Sequence, residues 1–269
     1  ACARTGDAQR AERWLEKMRA AGVRADAVSY SSVINACAQD AQDERAEQWL
    51  EHMLRSHVRV DEVCFNSVLH ACAQRGQVDR AAQRLVQMPR VAVEPTVVSY
   101  NCVISACAEA GQAEGAERWF ENLRSAGIEP DEVSYGNVVK ACAHRGEMEK
   151  AERWLKQMAA SGVAANELSY NHLLNACAQR GRLDDAERWL DRMLQAGLRA
   201  DEVSYSGVIN ACAVRGEVEK AEAWFDKMVV AGVRPSEVSY ACLRKACLFR
   251  GDMERWQTWF RRTSAAGIV

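Results

Sequence analysis

Apolar and polar positions along this chain fall into two helical registers that recur as a pair. Between Glu167 and Asp201, Leu168, Leu173, Leu174 and Cys177 lie on nearby faces of a helix of period 3.6, and Gly181 supplies the permissive backbone that ends it. Leu183, Ala186, Trp189, Leu190 and Met193 follow at three- and four-residue spacing, a seam one helical face wide that Gly197 closes. Helices of about a dozen residues are marginal alone, so neither can bury its apolar face without neighbours. No segment alternates with period two, and Ala, Glu, Arg, Leu and Met dominate the second stretches, which argues against strands.

The pair repeats every 35 residues without a gap. Tyr30, Phe65, Tyr100, Tyr135, Tyr170, Tyr205 and Tyr240 form one ladder at that offset. Cys2, Cys37, Cys72, Cys107, Cys142, Cys177, Cys212 and Cys247 form a second. Trp14, Trp49, Trp119, Trp154, Trp189, Trp224 and Trp259 form a third. The pattern predicts an all-α fold, a right-handed superhelical α-solenoid of helix-turn-helix repeats whose core exists only through stacking. A single array over 1–269 is expected, with full repeats at 27–61, 62–96, 97–131, 132–166, 167–201 and 202–236. Residues 1–26 read as the rear of another repeat and 237–269 as a nearly complete last one.

Two repeats are degenerate: Ala41 and His57 replace glycines in 27–61, while 62–96 has Arg84 for Trp and Pro89 inside its expected second helix. The array lacks a polar N-terminal cap, so a piece of a longer protein is expected. Trp256 beside Trp259, with Arg261 and Arg262, breaks the pattern and is expected to cover the end of the stack.

Composition narrows the function classes. Thirty-five basic and thirty-seven acidic residues leave a net charge of −2, so no strong long-range field draws the chain to nucleic acid. No apolar run approaches the roughly 18 residues that span a bilayer, and no membrane insertion is expected. Eight of the eleven cysteines are the ladder, the others are Cys64, Cys102 and Cys242, and none forms a Cys-x-x-Cys pair. They read as small apolar packing residues in a reducing compartment. His70 and His144 lie near ladder cysteines, but two ligands do not make a zinc site. No phosphate loop, Ser/His/Asp set or metal-spaced carboxylates occur. No cofactor, metal, small-molecule substrate or catalysis is expected within these residues.

The recurring block Val-Ser-Tyr-Asn, then Ala-Cys-Ala, a Gly turn, an Ala-Glu-Arg-Trp helix, Met, Gly and a closing Pro-Asp resembles the pentatricopeptide repeat family over the whole chain. Uniform units look like the family's pure class, and the His-x-Glu and Cys-x-x-Cys signature of its deaminase-like appendage is missing. The resemblance implies single-stranded RNA binding with one base read per repeat, in RNA processing, stability or translation in a mitochondrion or plastid. It implies that Val28, Val63, Val98, Val133, Leu168, Val203 and Val238 sandwich bases, although plain packing also suits them. Base edges would meet the residue after the aromatic and the last residue of the unit. Asn101 with Asp131 and Asn171 with Asp201 match the family's uracil pair, and Ser31 with Asp61 its guanine pair. Asn66 with Thr96 leans to cytosine, while Gly136 with Asn166 and Ser206 with Ser236 lean to adenine.

One family feature is absent. The lysine usually found late in the first helix is replaced by Gln39, Gln74, Glu109, His144, Gln179, Val214 and Phe249. Arg75, Arg145, Arg180, Arg215 and Arg250 stand beside these positions, placed either to meet phosphate or to pair with carboxylates of the next helix. Six apolar sandwiches imply a dissociation constant no tighter than about 1 μM. The alternative reading is a non-catalytic scaffold or adaptor that binds protein in a larger assembly.

Overall fold

The computed structural model describes residues 7–40 and 42–265, so Cys2 and Ala41 lie outside it. The described residues form fifteen α-helices, one 3-10 turn and no strand. The chain divides into two compact units, Ala1–Arg145 and Gly146–Val269. The first contains α1 (Ala8–Ala20), α2 (Ala27–Gln39), α3 (Asp43–Arg55), α4 (Glu62–Gln74), α5 (Val78–Gln87), α6 (Val97–Glu109), α7 (Ala113–Ser125) and α8 (Glu132–Arg145). The second contains α9 (Met148–Ala160), α10 (Glu167–Gln179), α11 (Leu183–Gln195), α12 (Glu202–Arg215), α13 (Val218–Val230), α14 (Glu237–Arg250) and α15 (Met253–Ala265).

Within the first unit α2, α4, α6 and α8 lie side by side, and within the second so do α10, α12 and α14. α2, α4, α6, α12 and α14 each touch the helix that follows in their own repeat and the one that precedes it. Packing on several sides explains its composition. α6 buries Cys102, Val103, Ile104, Ala106, Cys107 and Ala108 together with Ser99 and Asn101. The Ala-Cys-Ala triplets are small because neighbouring backbones approach closely there; Ala36, Cys37 and Ala38 are at most 3% exposed. The second helices bury one stripe each, Leu183, Ala186, Trp189, Leu190 and Met193 in α11, matching the seam seen in sequence. Trp189 alone, fully enclosed, represents about 4–6 kcal/mol of gross transfer free energy.

Aromatic contacts recur with the repeat. Tyr30–Trp49, Tyr100–Trp119, Tyr170–Trp189 and Tyr240–Trp259 have ring centroids 6.4, 6.5, 6.4 and 6.3 Å apart. A polar series on the second helices was not anticipated. The indole Nε1 of Trp49 donates to Glu12 at 2.9 Å, that of Trp224 to Glu187 at 2.8 Å and that of Trp259 to Glu222 at 2.8 Å. Arg84, in the tryptophan position of its repeat, reaches the equivalent Glu47 at 3.4 Å and Glu51 at 3.0 Å. The apparent degeneracy of that repeat therefore preserves the contact with a different donor.

Three sequence features take a different form from that expected. Pro89 does not lie inside a helix: α5 ends at Gln87 and Pro89 opens the 3-10 turn Pro89–Val91, because proline lacks the N–H that the next helical turn needs. His57 (φ 52°) and Ala92 (φ 58°) keep the left-handed turn that glycine makes after other second helices, at a cost of about 1–2 kcal/mol each. In α15, Trp259 is buried, whereas Trp256 is half-buried and stacks on exposed Phe260 at 5.3 Å.

Candidate nucleic-acid interface

The seven expected sandwiching residues do not pack into the core. Val28, Val63, Val98, Val133, Leu168, Val203 and Val238 are 51–69% exposed, each in the first turn of a first helix, where neighbouring positions are buried. Plain packing does not account for them, and Leu168 is not part of the buried face it seemed to share with Leu173. An apolar side chain held open at every thirty-fifth residue is a platform for a flat, partly apolar ligand.

The residues expected to read base edges sit on the same turns. The Asn101 amide donates to Asp131 Oδ1 at 2.9 Å, and the Asn171 amide to Asp201 at 3.3 Å. Two residues 30 positions apart are thus one unit. Asn66 and Thr96 are joined through Ser99, whose hydroxyl donates to Asn66 Oδ1 at 2.7 Å and lies 3.4 Å from Thr96 Oγ1. Ser206 and Ser236 both donate to Glu202, Ser206 at 3.1 Å. Ser31 and Asp61 are not brought together: Ser31 donates to the Val28 carbonyl at 3.1 Å and Asp61 accepts from Cys64 N at 3.0 Å. Gly136 belongs to the first unit and Asn166 to the second. Asn166 accepts from Ser169 N at 2.9 Å.

The closing residues have a second role that sequence reading missed. Each is the N-cap of the next first helix: Asp131 and Asp201 accept from the backbone N–H of Ser134 and Ser204, both at 2.9 Å. The signal was present as Asp-Glu-Val-Ser, an N-cap with a serine at N3. Burial alone would push the Asp201 carboxyl up, but hydrogen bonds from Ser204 and Asn171 more than offset it and hold the group below its usual value. Asp201 is therefore an anionic acceptor at neutral pH.

In the second unit these groups line one groove of about 460 Å³. Leu168, Val203 and Val238 form apolar steps, with Asn171 and Asp201 between the first two and Ser206 between the last two. His172, Asn175 and Asn210 line it further along. Two successive repeats therefore present the same apolar-polar-apolar arrangement.

The arginine ladder is engaged. Arg75 pairs with Asp43, Arg145 with Glu114, Arg215 with Asp184 at 3.9 Å and Arg250 with Glu219 at 2.5 Å. Arg180, also exposed, packs its guanidinium close to Gly146. These acidic partners lie in the first turn of the preceding repeat's second helix; Arg215 also pairs, at 2.8 Å, with Glu217, the N-cap of the helix that follows it, as expected. An acid there complements the positive helix end, and the last turn of each first helix delivers its arginine to it. At the lysine-replacing positions, Glu109 takes an ion pair from Lys140, and His144 Nδ1 lies 3.1 Å from the Ala108 carbonyl. Among the described residues no cluster of three metal-ligating side chains occurs, and no helix is long and apolar enough to cross a membrane. The ten described cysteines are buried and free.

Stacked helix pairs at a fixed 35-residue period, with an exposed apolar residue in the first turn of each first helix, define an α-helical repeat solenoid. The chain belongs to the pentatricopeptide repeat family: a model described as the pentacotripeptide-repeat region of PRORP matches residues 1–157, and models of the PPR repeat match 165–214 and 203–233. Among solved structures, the pentatricopeptide repeat protein PPR10 from maize is similar with TM-score 0.57 and 23% identity, over 95% of this chain and 41% of that one. PPR10 in complex with an 18-nt psaJ RNA element gives TM-score 0.58 and 20% identity, over 96% and 43%. Nuclear proteinaceous RNase P 2 from A. thaliana gives 0.54 and 20%, over 70% and 42%. The chain spans less than half the length of each of these three. No curated protein sequence matches it significantly.

Proposed function

We propose that this chain is a non-catalytic single-stranded RNA-binding module in which one repeat meets one base. The observation that carries the reading is the groove of the second unit, where exposed Leu168, Val203 and Val238 flank the Asn171–Asp201 pair and Ser206. An apolar step on either side of a hydrogen-bonding edge is the arrangement a splayed base requires. The similar fold of PPR10, which was solved with RNA, adds support. Read in chain order along RNA 5′ to 3′, the pairs favour guanine, a pyrimidine, uracil, a purine, uracil and a purine, with cytosine and adenine the leanings at the less defined bases. The role is RNA processing, stability or translation in a mitochondrion or plastid.

The arginine ion pairs favour a second reading, a scaffold that holds protein, because those cations are already committed to carboxylates. RNA selection on the whole chain at low and physiological salt separates the two. Enrichment of two uracils separated by one base supports base reading. Weak, salt-sensitive retention of every sequence alike favours the scaffold.

A further inference from the structure

Each asparagine that follows a ladder aromatic is gripped from a second direction. Ser134 Oγ donates to Asn101 Oδ1 at 2.7 Å, Ser204 Oγ to Asn171 Oδ1 at 2.7 Å and Ser99 Oγ to Asn66 Oδ1 at 2.7 Å, while the Ser134 and Ser204 hydroxyls have a second, longer acceptor in Asp131 Oδ1 at 2.9 Å and Asp201 Oδ1 at 2.8 Å. All three serines are N3 residues of the following first helix, and none is more than 1% exposed. In the two Asn–Asp repeats the amide nitrogen donates to the carboxylate, at 2.9 and 3.3 Å. Hydrogen-bond networks of this kind decide which way round an amide sits. Here the oxygen faces the serine hydroxyl and the nitrogen faces the aspartate, leaving the second amide N–H to meet a ligand.

We infer that Ser134 and Ser204 are positioning residues that make their repeats choose uracil over cytosine, an inference that rests on the RNA reading above. The two pyrimidines differ at one edge. Uracil offers a carbonyl oxygen where cytosine offers an amino group. An amide held with its N–H outward serves the uracil oxygen. To accept from the cytosine amino group it must turn over, which sets its oxygen against the Asp131 or Asp201 carboxylate and takes away the shorter of the serine hydroxyl's two acceptors, leaving that hydroxyl only the carboxylate at 2.9 or 2.8 Å. Serine and aspartate together thus resist the turn, and removing the serine leaves only one of the two constraints.

The test titrates the full chain with 5′-GCUAUA-3′ and with two oligonucleotides carrying cytosine at the third or the fifth base. The unaltered protein prefers uracil at both positions. Ser134→Ala lowers the uracil-to-cytosine affinity ratio at the third base roughly two- to tenfold, the size of one hydrogen bond, and leaves the fifth unchanged; Ser204→Ala does the reverse. Ser134→Thr, which keeps the hydroxyl, restores the ratio. A purely structural serine would weaken all three oligonucleotides together and leave both ratios intact. Should Ser134→Ala destabilise the fold, Ser134→Cys replaces it, since Cys64 already occupies the equivalent place after Asp61. A uracil-to-cytosine ratio unchanged by the loss of the hydroxyl overturns the inference. No uracil preference in the unaltered protein overturns the RNA reading itself, and this inference with it.

Discussion

Asp131 accepts both the Asn101 amide, at 2.9 Å, and the backbone N–H of Ser134, at 2.9 Å. One carboxylate therefore starts a helix and completes the polar pair of the repeat before it. On the proposed RNA reading, stability and recognition are coupled at that residue and separable at its partner.

Replacing Asp131 by Ala removes a helix cap, which costs about 1 kcal/mol, and also abolishes discrimination at the third base. Asp131→Asn keeps the cap and changes the recognition. A urea midpoint that falls for the alanine variant and holds for the asparagine variant, with base preference altered in both, is the expected outcome.

The Trp–Glu contacts stabilise the second-helix layer. Glu187→Ala strands the Trp224 indole N–H and lowers stability by about 1–2 kcal/mol. In the opposite direction, Ala82 stands where other repeats carry the glutamate, and Trp119 makes no such bond among the described residues; at Trp189, whose N–H also lacks a partner, the equivalent Glu152 is drawn off by Lys156 and Arg192. Ala82→Glu supplies an acceptor and raises the urea midpoint. Equal midpoints for all three proteins would show that the contact contributes nothing.

Much of this was legible beforehand because stacking imposes one environment per repeat position. The tyrosine, cysteine and tryptophan ladders reported the core, and the exposed valines were found as a ladder too, though their side of the helix was open in sequence. Direction was not legible. Nothing in the spacing of Arg145 and Glu114 shows that the arginine reaches back to that acid, because both neighbours present carboxylates. The Glu12, Glu47, Glu187 and Glu222 series was readable at the same offset but looked like a solvated face. Pro89 was placed inside a helix by repeat averaging, which the missing N–H overrode.

Burial raises the thiols of Cys37, Cys64, Cys72, Cys102 and Cys212 to about 12, and those of Cys107, Cys177 and Cys242 to about 11. In the native protein at pH 8, Ellman's reagent therefore leaves these thiols unmodified, and all react in denaturant. Rapid native labelling of any of them would contradict the packing role.

Acid sensitivity follows from the caps. The Asp26 carboxyl is lowered by the Ser29 side-chain and backbone donors, and Asp201 by donors that outweigh its burial. A carboxyl whose folded pKa is depressed stabilises the fold above its unfolded value, here 3.8, and that contribution is lost as pH falls through the folded value. The urea midpoint is flat from about pH 7 to 5 and declines below about pH 4; Asp201→Asn, still a good cap, shows a shallower decline.

The central claim is that one repeat meets one base, and exchanging a single reader tests it most directly. Asn101→Ser gives the third-base repeat the serine–aspartate pair that Ser31 and Asp61 suggest for guanine. Titrated against 5′-GCUAUA-3′ and 5′-GCGAUA-3′, the unaltered chain favours the first and the variant favours the second, with the uracil preference at the fifth base unchanged. Equal or uniformly weakened binding of both oligonucleotides by the variant would contradict the account.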